Sequence, residues 1–245
     1  MFFSDHVFLA GSGKHGFQMT HLLDCNVYLL NGGSEYALID AGCGVEPEKI
    51  AERIEAAGFS MEKVTKLLLT HIHADHAAGA WYFHDKYALE VVASKEGAPW
   101  LEQADMEKTS LNPAKRAGVY PADFEFPACP VHTAVSEGDR VRVGELELNV
   151  LETPGHSRGH VSYLLERDGH RSLFAGDVVF GGGKVVLQNI WDCSIQDYAA
   201  TVAKLSALRI DTLYAGHGAP LMTEAWRHID LANDHFQRLG IPPGL

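Results

Sequence analysis

The sequence predicts an α/β fold, and three observations support that prediction. Short apolar runs of the kind that form buried strands alternate with stretches whose apolar residues recur at helical spacing. The 245 residues contain no clear linker, short repeat or low-complexity segment, so we expect one domain over residues 1–245. Apolar residues make up 46% and charged residues 21% of the chain, which is the balance of a globular protein. This composition excludes disordered and collagen-like chains.

In the first half of the chain, apolar runs predict four strands and helical spacing predicts two helices. Asn31, Gly32 and Gly33 are typical of the turn of a hairpin, and Gly58 is expected to end the first helix. The predicted strands cover residues 27–30, 37–39, 66–70 and 89–93, and the predicted helices cover residues 47–59 and 77–87.

The second half repeats this alternation. A helix is predicted over residues 195–208, because Tyr198, Val202 and Leu205 fall on one apolar stripe. A final helix is predicted over residues 224–239, before Gly240 and two prolines. The predicted strands cover residues 140–143, 146–151, 161–165, 172–175 and 212–215.

Residues 94–130 are less regular, since prolines and glycines interrupt them and aromatic residues are scattered among them. A structureless loop of this length is uncommon in a compact domain, so we predict short helices and turns. Two roles remain open for the segment. It forms a lid or pocket wall, or it is a plain surface insertion.

The formal net charge is −12 with the histidines neutral. Because an acidic surface repels phosphate backbones, we expect a small-molecule substrate and no nucleic-acid partner. No apolar run reaches the length of about 18 residues that indicates a membrane span, so no membrane partner is expected. The N-terminus lacks the regions of a secretion signal and the four cysteines include no C-x-x-C pair, which predicts a cytoplasmic protein with reduced thiols. The oligomeric state stays open.

The strongest motif covers residues 70–76 and follows a predicted buried strand. Side chains of an extended chain alternate between two faces, so His71 and His73 are expected on the same side. Asp75 and His76 come next, where the chain turns into a helix. Imidazole nitrogens and a carboxylate in so short a segment are ligands suited to zinc or a similar divalent ion.

Metal-capable side chains recur at three later strand ends. His156, Asp177 and His217 each follow an apolar run that stops at a glycine. Glycine permits the sharp turn and close backbone approach that such a corner needs, and sites in open sheets gather beyond strand ends. A chance cluster of surface histidines would not repeat in this way. The sequence therefore predicts a metal site that these strand ends build together.

These motifs, in this order, resemble the metallo-β-lactamase superfamily of metal-dependent hydrolases. The resemblance extends from about Asn26 to His217. It implies a four-layer αβ/βα sandwich, in which two mixed β-sheets lie face to face with helices outside. It also implies two divalent ions, zinc first, with manganese or iron as alternatives. By the resemblance, the first ion takes His71, His73 and His156, the second takes Asp75, His76 and His217, and Asp177 bridges them.

The resemblance assigns roles to a few further residues. Asp40 matches an early aspartate that orients the metal loop, and His160 either supports a ligand or makes a structural hydrogen bond. Lys184 follows a glycine-rich turn like that of glyoxalase II; it either contacts a substrate carboxylate or is a solvated surface lysine. Phe180 stands where lactonase relatives place a tyrosine, and it is the second candidate for a substrate contact. We predict that seven further histidines outside the motifs are surface or structural residues: His6, His15, His84, His132, His170, His228 and His235.

The implied activity is hydrolysis of an ester, thioester or lactone carbonyl by a metal-bridging hydroxide, with Asp75 orienting the nucleophile or taking its proton. The bridging Asp177 disfavours a β-lactamase, and the acidic chain disfavours a nuclease. Glyoxalase II-like thioesterases and lactonases remain, although only 28 residues follow His217 where glyoxalase II has a glutathione-binding domain. The alternatives are an enzyme like the mononuclear iron persulfide dioxygenases and an inactive metal-binding protein.

Overall fold

The computed structural model describes all residues, 1–245, and contains two mixed β-sheets. The first sheet has six strands in chain order: β1 (Val7–Gly11), β2 (Val27–Asn31), β3 (Tyr36–Ile39), β4 (Val64–Leu68), β5 (Glu90–Ser94) and β6 (Thr133–Val135). Its first three strands pair antiparallel, and the pairs from β3 to β6 are parallel.

The second sheet has five strands: β7 (Arg140–Val143), β8 (Leu146–Glu152), β9 (Val161–Arg167), β10 (His170–Gly176) and β11 (Thr212–Ala215). Their order is β11-β10-β9-β8-β7, with only the β10–β11 pair parallel. The helices are α1 (Glu48–Ala56), α2 (Ala74–Ala77), α3 (Ala80–Tyr87), α4 (Ala98–Glu102), α5 (Leu111–Arg116), α6 (Ile195–Ser206) and α7 (Trp226–Gln237), with a 3-10 turn at Met61–Lys63.

Three hydrophobic cores lie between neighbouring layers. Along β1, Val7 and Leu9 belong to a core shared by both sheets, whereas Phe8 and Ala10 pack with α1 on the other face. A third core joins the second sheet to α6 and α7. This alternation follows from the two-residue period of a strand. The order helix, sheet, sheet, helix confirms the predicted four-layer αβ/βα sandwich.

The structure corrects several predicted elements near the site. The strand predicted to reach Thr70 ends at Leu68, because the backbone N–H of Thr70 donates to the Asp40 carboxylate instead of to a neighbouring strand. The helix predicted from residue 77 is two helices, α2 and α3, with Gly79 between them. A Cβ atom on Gly79 would collide with the carbonyl of Ala41. The backbone at Gly79 therefore packs directly against the backbone at Ala41.

Residues 94–130 contain α4, α5 and turns. Buried side chains anchor this segment in the first core: Leu101, Leu111, Tyr120, Phe124 and Phe126. None of the helices combines the length and the apolar character that a bilayer crossing requires.

Candidate metal centre

The candidate ligands lie where chain segments leave the strands of both sheets. His71 and His73 follow β4, and Asp75 and His76 occupy the short helix α2. The other three ligands lie beyond the second sheet: His156 after β8, Asp177 after β10 and His217 after β11. The structure therefore brings all seven predicted metal ligands together at one end of the sandwich.

The first triad consists of His71, His73 and His156, whose ligand atoms lie within 4.8 Å of one another. Nδ1 of His73 lies 3.0 Å from Nε2 of His156. All three side chains are buried. Three converging imidazoles are a common first coordination shell for a divalent ion.

Outer hydrogen bonds orient two of these rings. Nε2 of His73 lies 3.0 Å from Oδ2 of Asp192, and Nδ1 of His156 lies 3.1 Å from the carbonyl of Val186. Both partners are acceptors only, so each ring places its hydrogen on the outer nitrogen. The facing nitrogens then present lone pairs to each other. A cation bound by both nitrogens would relieve the repulsion of the two lone pairs, and metal-bound histidines usually donate their outer N–H in this way.

The second triad consists of Asp75, His76 and His217. Oδ2 of Asp75 lies 3.1 Å from Nε2 of His217 and 3.7 Å from Nε2 of His76. Nδ1 of His76 donates to Oδ2 of Asp40 at 2.8 Å. The Nε2 atom of His76 therefore faces the other members of the triad. Two imidazoles and a carboxylate form a second ligand set of the type that binds zinc.

Asp177 lies between the triads. Its Oδ1 atom is 3.4 Å from Nε2 of His76, while Oδ2 is 3.3 Å from Nε2 of His217 and 3.7 Å from Nε2 of His156. One carboxylate thus reaches residues of both ligand sets. This position agrees with the bridging role that the resemblance implies.

Three buried polar atoms of these ligands lack hydrogen-bond partners, which shows whether the residues fit a metal ion. Nε2 of His71, Nε2 of His76 and Oδ1 of Asp177 have no hydrogen-bond partner, and they belong to one cluster within 4.8 Å. Buried polar atoms without partners are rare because each loses its interaction with water. Divalent ions held by the two triads would supply the missing partners, with His71 in the first set, His76 in the second and Asp177 between them, so the donor set fits a metal site.

The site's electrostatics also favour a cation. Burial lowers the pKa of His156, with His73 adding to the effect, to about 4, so its nitrogen stays available as a ligand at neutral pH. Burial opposes the charge of His217, but the carboxylates of Asp177 and Asp75 raise its pKa to about 9. The second triad therefore stabilises positive charge, which either a proton or a metal ion supplies.

Asp40 and His160 hold the ligand loops. Asp40 has a φ of 63° and its carboxylate accepts from the backbone of Thr70 at 2.7 Å as well as from His76. Nδ1 of His160 lies 2.8 Å from the Thr153 hydroxyl, and its Nε2 accepts from the backbone N–H of Asp177 at 3.2 Å. Asp40 thus orients the His76 ring, and His160 fixes the backbone at Asp177.

Asp192 is a site residue that sequence reasoning missed. It is buried, and its carboxylate also accepts from Ser110 at 2.6 Å and from Ser157 at 2.8 Å. Burial opposes its charge, but hydrogen bonds from His73 and the two serines lower its pKa to about 2. Asp192 lies 119 positions from His73 in the chain, and no local motif marks it.

Tyr120 is the second residue that sequence reasoning missed. Its hydroxyl donates to Oδ1 of Asp75 at 3.1 Å, and burial together with Asp75 keeps its pKa well above the ordinary value. Tyr120 lines a cavity of about 530 Å³ that also reaches His73, Asp177 and His217. The 94–130 segment thus forms part of the wall beside the ligands.

Neither of the two predicted substrate contacts, Phe180 and Lys184, lines this cavity. Phe180 is buried, with its ring centroid 6.4 Å from that of His217, but it does not line the cavity. Lys184 is exposed and also lies outside the cavity lining. His15, which was predicted to be a surface or structural residue, is exposed but lines the cavity and lies edge-on to His217 at 5.9 Å.

Residues 22–217 match the Metallo-beta-lactamase superfamily, so the chain belongs to that superfamily. An acyl-coenzyme A thioesterase, MBLAC2 of Gallus gallus, is 27% identical over 233 residues, which cover 88% of this chain and 79% of the relative. A hydroxyacylglutathione hydrolase of Rhodopseudomonas palustris (strain HaA2) is 32% identical over 72% of this chain, which spans 57% of that relative.

Solved structures of this superfamily share the fold. A metallo-β-lactamase family protein from Thermus thermophilus has a TM-score of 0.73 at 23% identity, with 95% of this chain and 80% of that chain covered. A subclass B3 metallo-β-lactamase of Bradyrhizobium japonicum has a TM-score of 0.69 at 26% identity, with 92% and 94% covered. Fold, buried His/Asp cluster and relatives together define a hydrolase of the metallo-β-lactamase fold.

Proposed function

We propose that this protein is a dinuclear metal-dependent hydrolase that cleaves thioesters. The observation that carries the proposal is the pair of ligand triads with Asp177 between them and three buried ligand atoms without protein partners. When bound, two divalent ions lower the pKa of a coordinated water to about 7 and polarise the substrate carbonyl. Imidazole and carboxylate ligands suit zinc first, and manganese or iron compete for such sites.

The protein's own residues position the reacting groups. Oδ2 of Asp75 lies close to Nε2 of His217, and Oδ1 accepts a hydrogen bond from the Tyr120 hydroxyl. Its carboxylate accepts the proton of the attacking water or orients that water toward the carbonyl carbon. His73, Asp75 and His217 face the cavity, which places substrate beside both ligand sets.

Two relatives support the thioester as the scissile group. One is described as an acyl-coenzyme A thioesterase and the other as a hydroxyacylglutathione hydrolase. In thioester hydrolysis, water adds oxygen to the carbonyl carbon and the carbon–sulfur bond breaks. The thiolate takes up a proton from the water and leaves as a thiol. Lactones and simple esters follow the same chemistry with an alcohol as the leaving group, so they are the matched comparison substrates.

The second triad supports this proposal over a mononuclear iron dioxygenase acting on persulfides. Asp75, His76 and His217 lie within 4.8 Å of one another, which favours a complete second site. An inactive metal-binding protein is disfavoured because a cavity of about 530 Å³ reaches the ligands, and this volume lies within the range of small-molecule sites.

The test combines metal analysis with a substrate panel. The purified protein is loaded with zinc, manganese or iron and its ions per chain are counted. Turnover is then measured on thioesters, lactones, simple esters and a β-lactam, with oxygen consumption recorded on a persulfide. We expect two ions per chain and thioester hydrolysis. One iron with oxygen consumption, or turnover confined to the lactone or the β-lactam, would overturn the proposal.

A further inference from the structure

The cavity that reaches the metal ligands has an apolar wall on one side. Five residues of the 94–130 segment form it, and we call them the α5 wall: Leu111, Pro113, Ala114, Ala117 and Val119. Val186 and Ile190 also line the cavity, from the chain between β10 and α6. None of the sequence motifs assigns a role to these side chains.

Helical spacing explains why these residues share one surface. Leu111, Ala114 and Ala117 are three positions apart along α5 and its C-cap, so they occupy neighbouring places on one face. Their exposure rises in the same order, since Leu111 is buried, Ala114 is half-buried and Ala117 is exposed. The wall therefore runs from the interior of the cavity to its mouth, where Val119 is 52% exposed.

No lysine or arginine lines this cavity. The two cations of α5 are directed elsewhere, because Lys115 donates to the carbonyl of Ala122 at 3.1 Å and Arg116 lies 3.9 Å from Glu107. A charged leaving group thus meets no lysine or arginine side chain inside the cavity, whereas an alkyl chain meets the apolar side chains of the α5 wall. Burial of alkyl groups on such a surface is favourable.

We propose that the α5 wall binds the aliphatic acyl chain of the thioester, and that the polar thiol portion projects toward solvent. This assignment rests on the proposed thioesterase function and specifies its substrate class. Small side chains at positions 114 and 117 leave the space for the chain, and the end of the wall at the mouth of the cavity sets the length of chain that it covers.

The test is an acyl-length series on one thiol, from acetyl to dodecanoyl, at constant loaded metal. Each methylene that enters the wall should raise kcat/KM about threefold to fourfold until the wall is filled. In Ala117→Leu, the added side chain occupies the wall, so the ratio of decanoyl to acetyl kcat/KM should fall at least tenfold. The matched control is Ala122→Leu, which adds the same side chain in the same segment at an exposed position outside the cavity lining.

Binding provides a measurement that does not depend on turnover. Calorimetric titration of the loaded protein with acetate, hexanoate and decanoate should show affinity rising with length in the wild type and in Ala122→Leu, but not in Ala117→Leu. A flat length profile in an active wild-type enzyme overturns the acyl-chain assignment and leaves thioester hydrolysis standing. Equal profiles for the two variants also overturn it. Absence of any thioester turnover, with length-dependent carboxylate binding retained, instead rejects the proposed function and supports the wall as an alkyl site.

Discussion

The Oδ2 atom of Asp192 lies 3.0 Å from Nε2 of His73, and this contact connects three separate segments to the first ligand triad. The Asp192 carboxylate also accepts hydrogen bonds from Ser110, at the start of α5, and from Ser157, in the loop after β8. Because Nε2 of His73 donates to this carboxylate, Nδ1 is left as the ligand atom. Asp192 therefore determines which nitrogen of His73 faces the metal site.

Loss of the Asp192 carboxylate is expected to weaken the first metal site. In Asp192→Ala, His73 loses its acceptor and its ring is no longer held in one tautomer, so affinity for the first ion should fall about 10- to 100-fold. Competition with a chelator measures this. Asp197→Asn removes an exposed carboxylate nearby in sequence and should leave the affinity unchanged. Equal affinities in all three proteins would show that Asp192 does not position His73.

The two sites should lose their ions at different pH. His217 has a pKa raised to about 9 by Asp177 and Asp75 against the effect of burial, whereas burial lowers that of His156 to about 4. A raised pKa means that protons compete for His217 as the pH falls below about 9. His156 resists protonation until about pH 4, so the second ion should dissociate first. Ion counts after dialysis between pH 9 and pH 4 check this order, and simultaneous loss of both ions would contradict it.

Tyr120→Phe should lower turnover without unfolding the protein. The substitution removes the hydroxyl that donates to Oδ1 of Asp75, and a hydrogen bond to a charged group contributes about 1.5 kcal/mol or more. We expect kcat to fall about tenfold with little change in melting temperature. The comparison variant is Tyr36→Phe, in β3, which should retain full activity. An unchanged kcat in Tyr120→Phe would exclude a role for this hydroxyl.

Gly216→Ala should disrupt the second site by steric contact. A Cβ atom at this position would collide with Oδ1 of Asp177 and lie 2.6 Å from Cε1 of His76. Overpacking of this kind destabilises a fold by about 1–3 kcal/mol, and displacement of two ligands should release the second ion. Gly181→Ala is the control, since its new methyl group would meet only Leu221, at 3.6 Å. Two ions per chain in Gly216→Ala would contradict this description of the site.

Much of the fold was predictable because short apolar runs and helical spacing are local signals. Predicted strands at residues 140–143 and 212–215 coincide with β7 and β11. The sequence patterns do not predict two strands, the N-terminal β1 and the three-residue β6. A strand as short as β6 depends on pairing with its neighbour β5, which is distant in sequence.

The candidate ligands were predictable for a different reason. Residues 71, 73, 75 and 76 form one compact motif, and the later ligands each follow a glycine at a strand end. Asp192 and Tyr120 lie in irregular segments and reach the site only through the folded chain. A single aspartate or tyrosine in a loop carries no periodicity, so only the three-dimensional structure identifies their partners.

The most direct test of the dinuclear hydrolase is Asp75→Asn, measured for ions per chain and thioester turnover on one sample. The substitution preserves size but removes the anion from the second triad, while His71, His73 and His156 remain unchanged. We predict a folded protein that keeps the first ion, binds the second weakly and loses most hydrolysis. Wild-type turnover by the variant with one iron per chain would contradict the dinuclear mechanism and favour the dioxygenase.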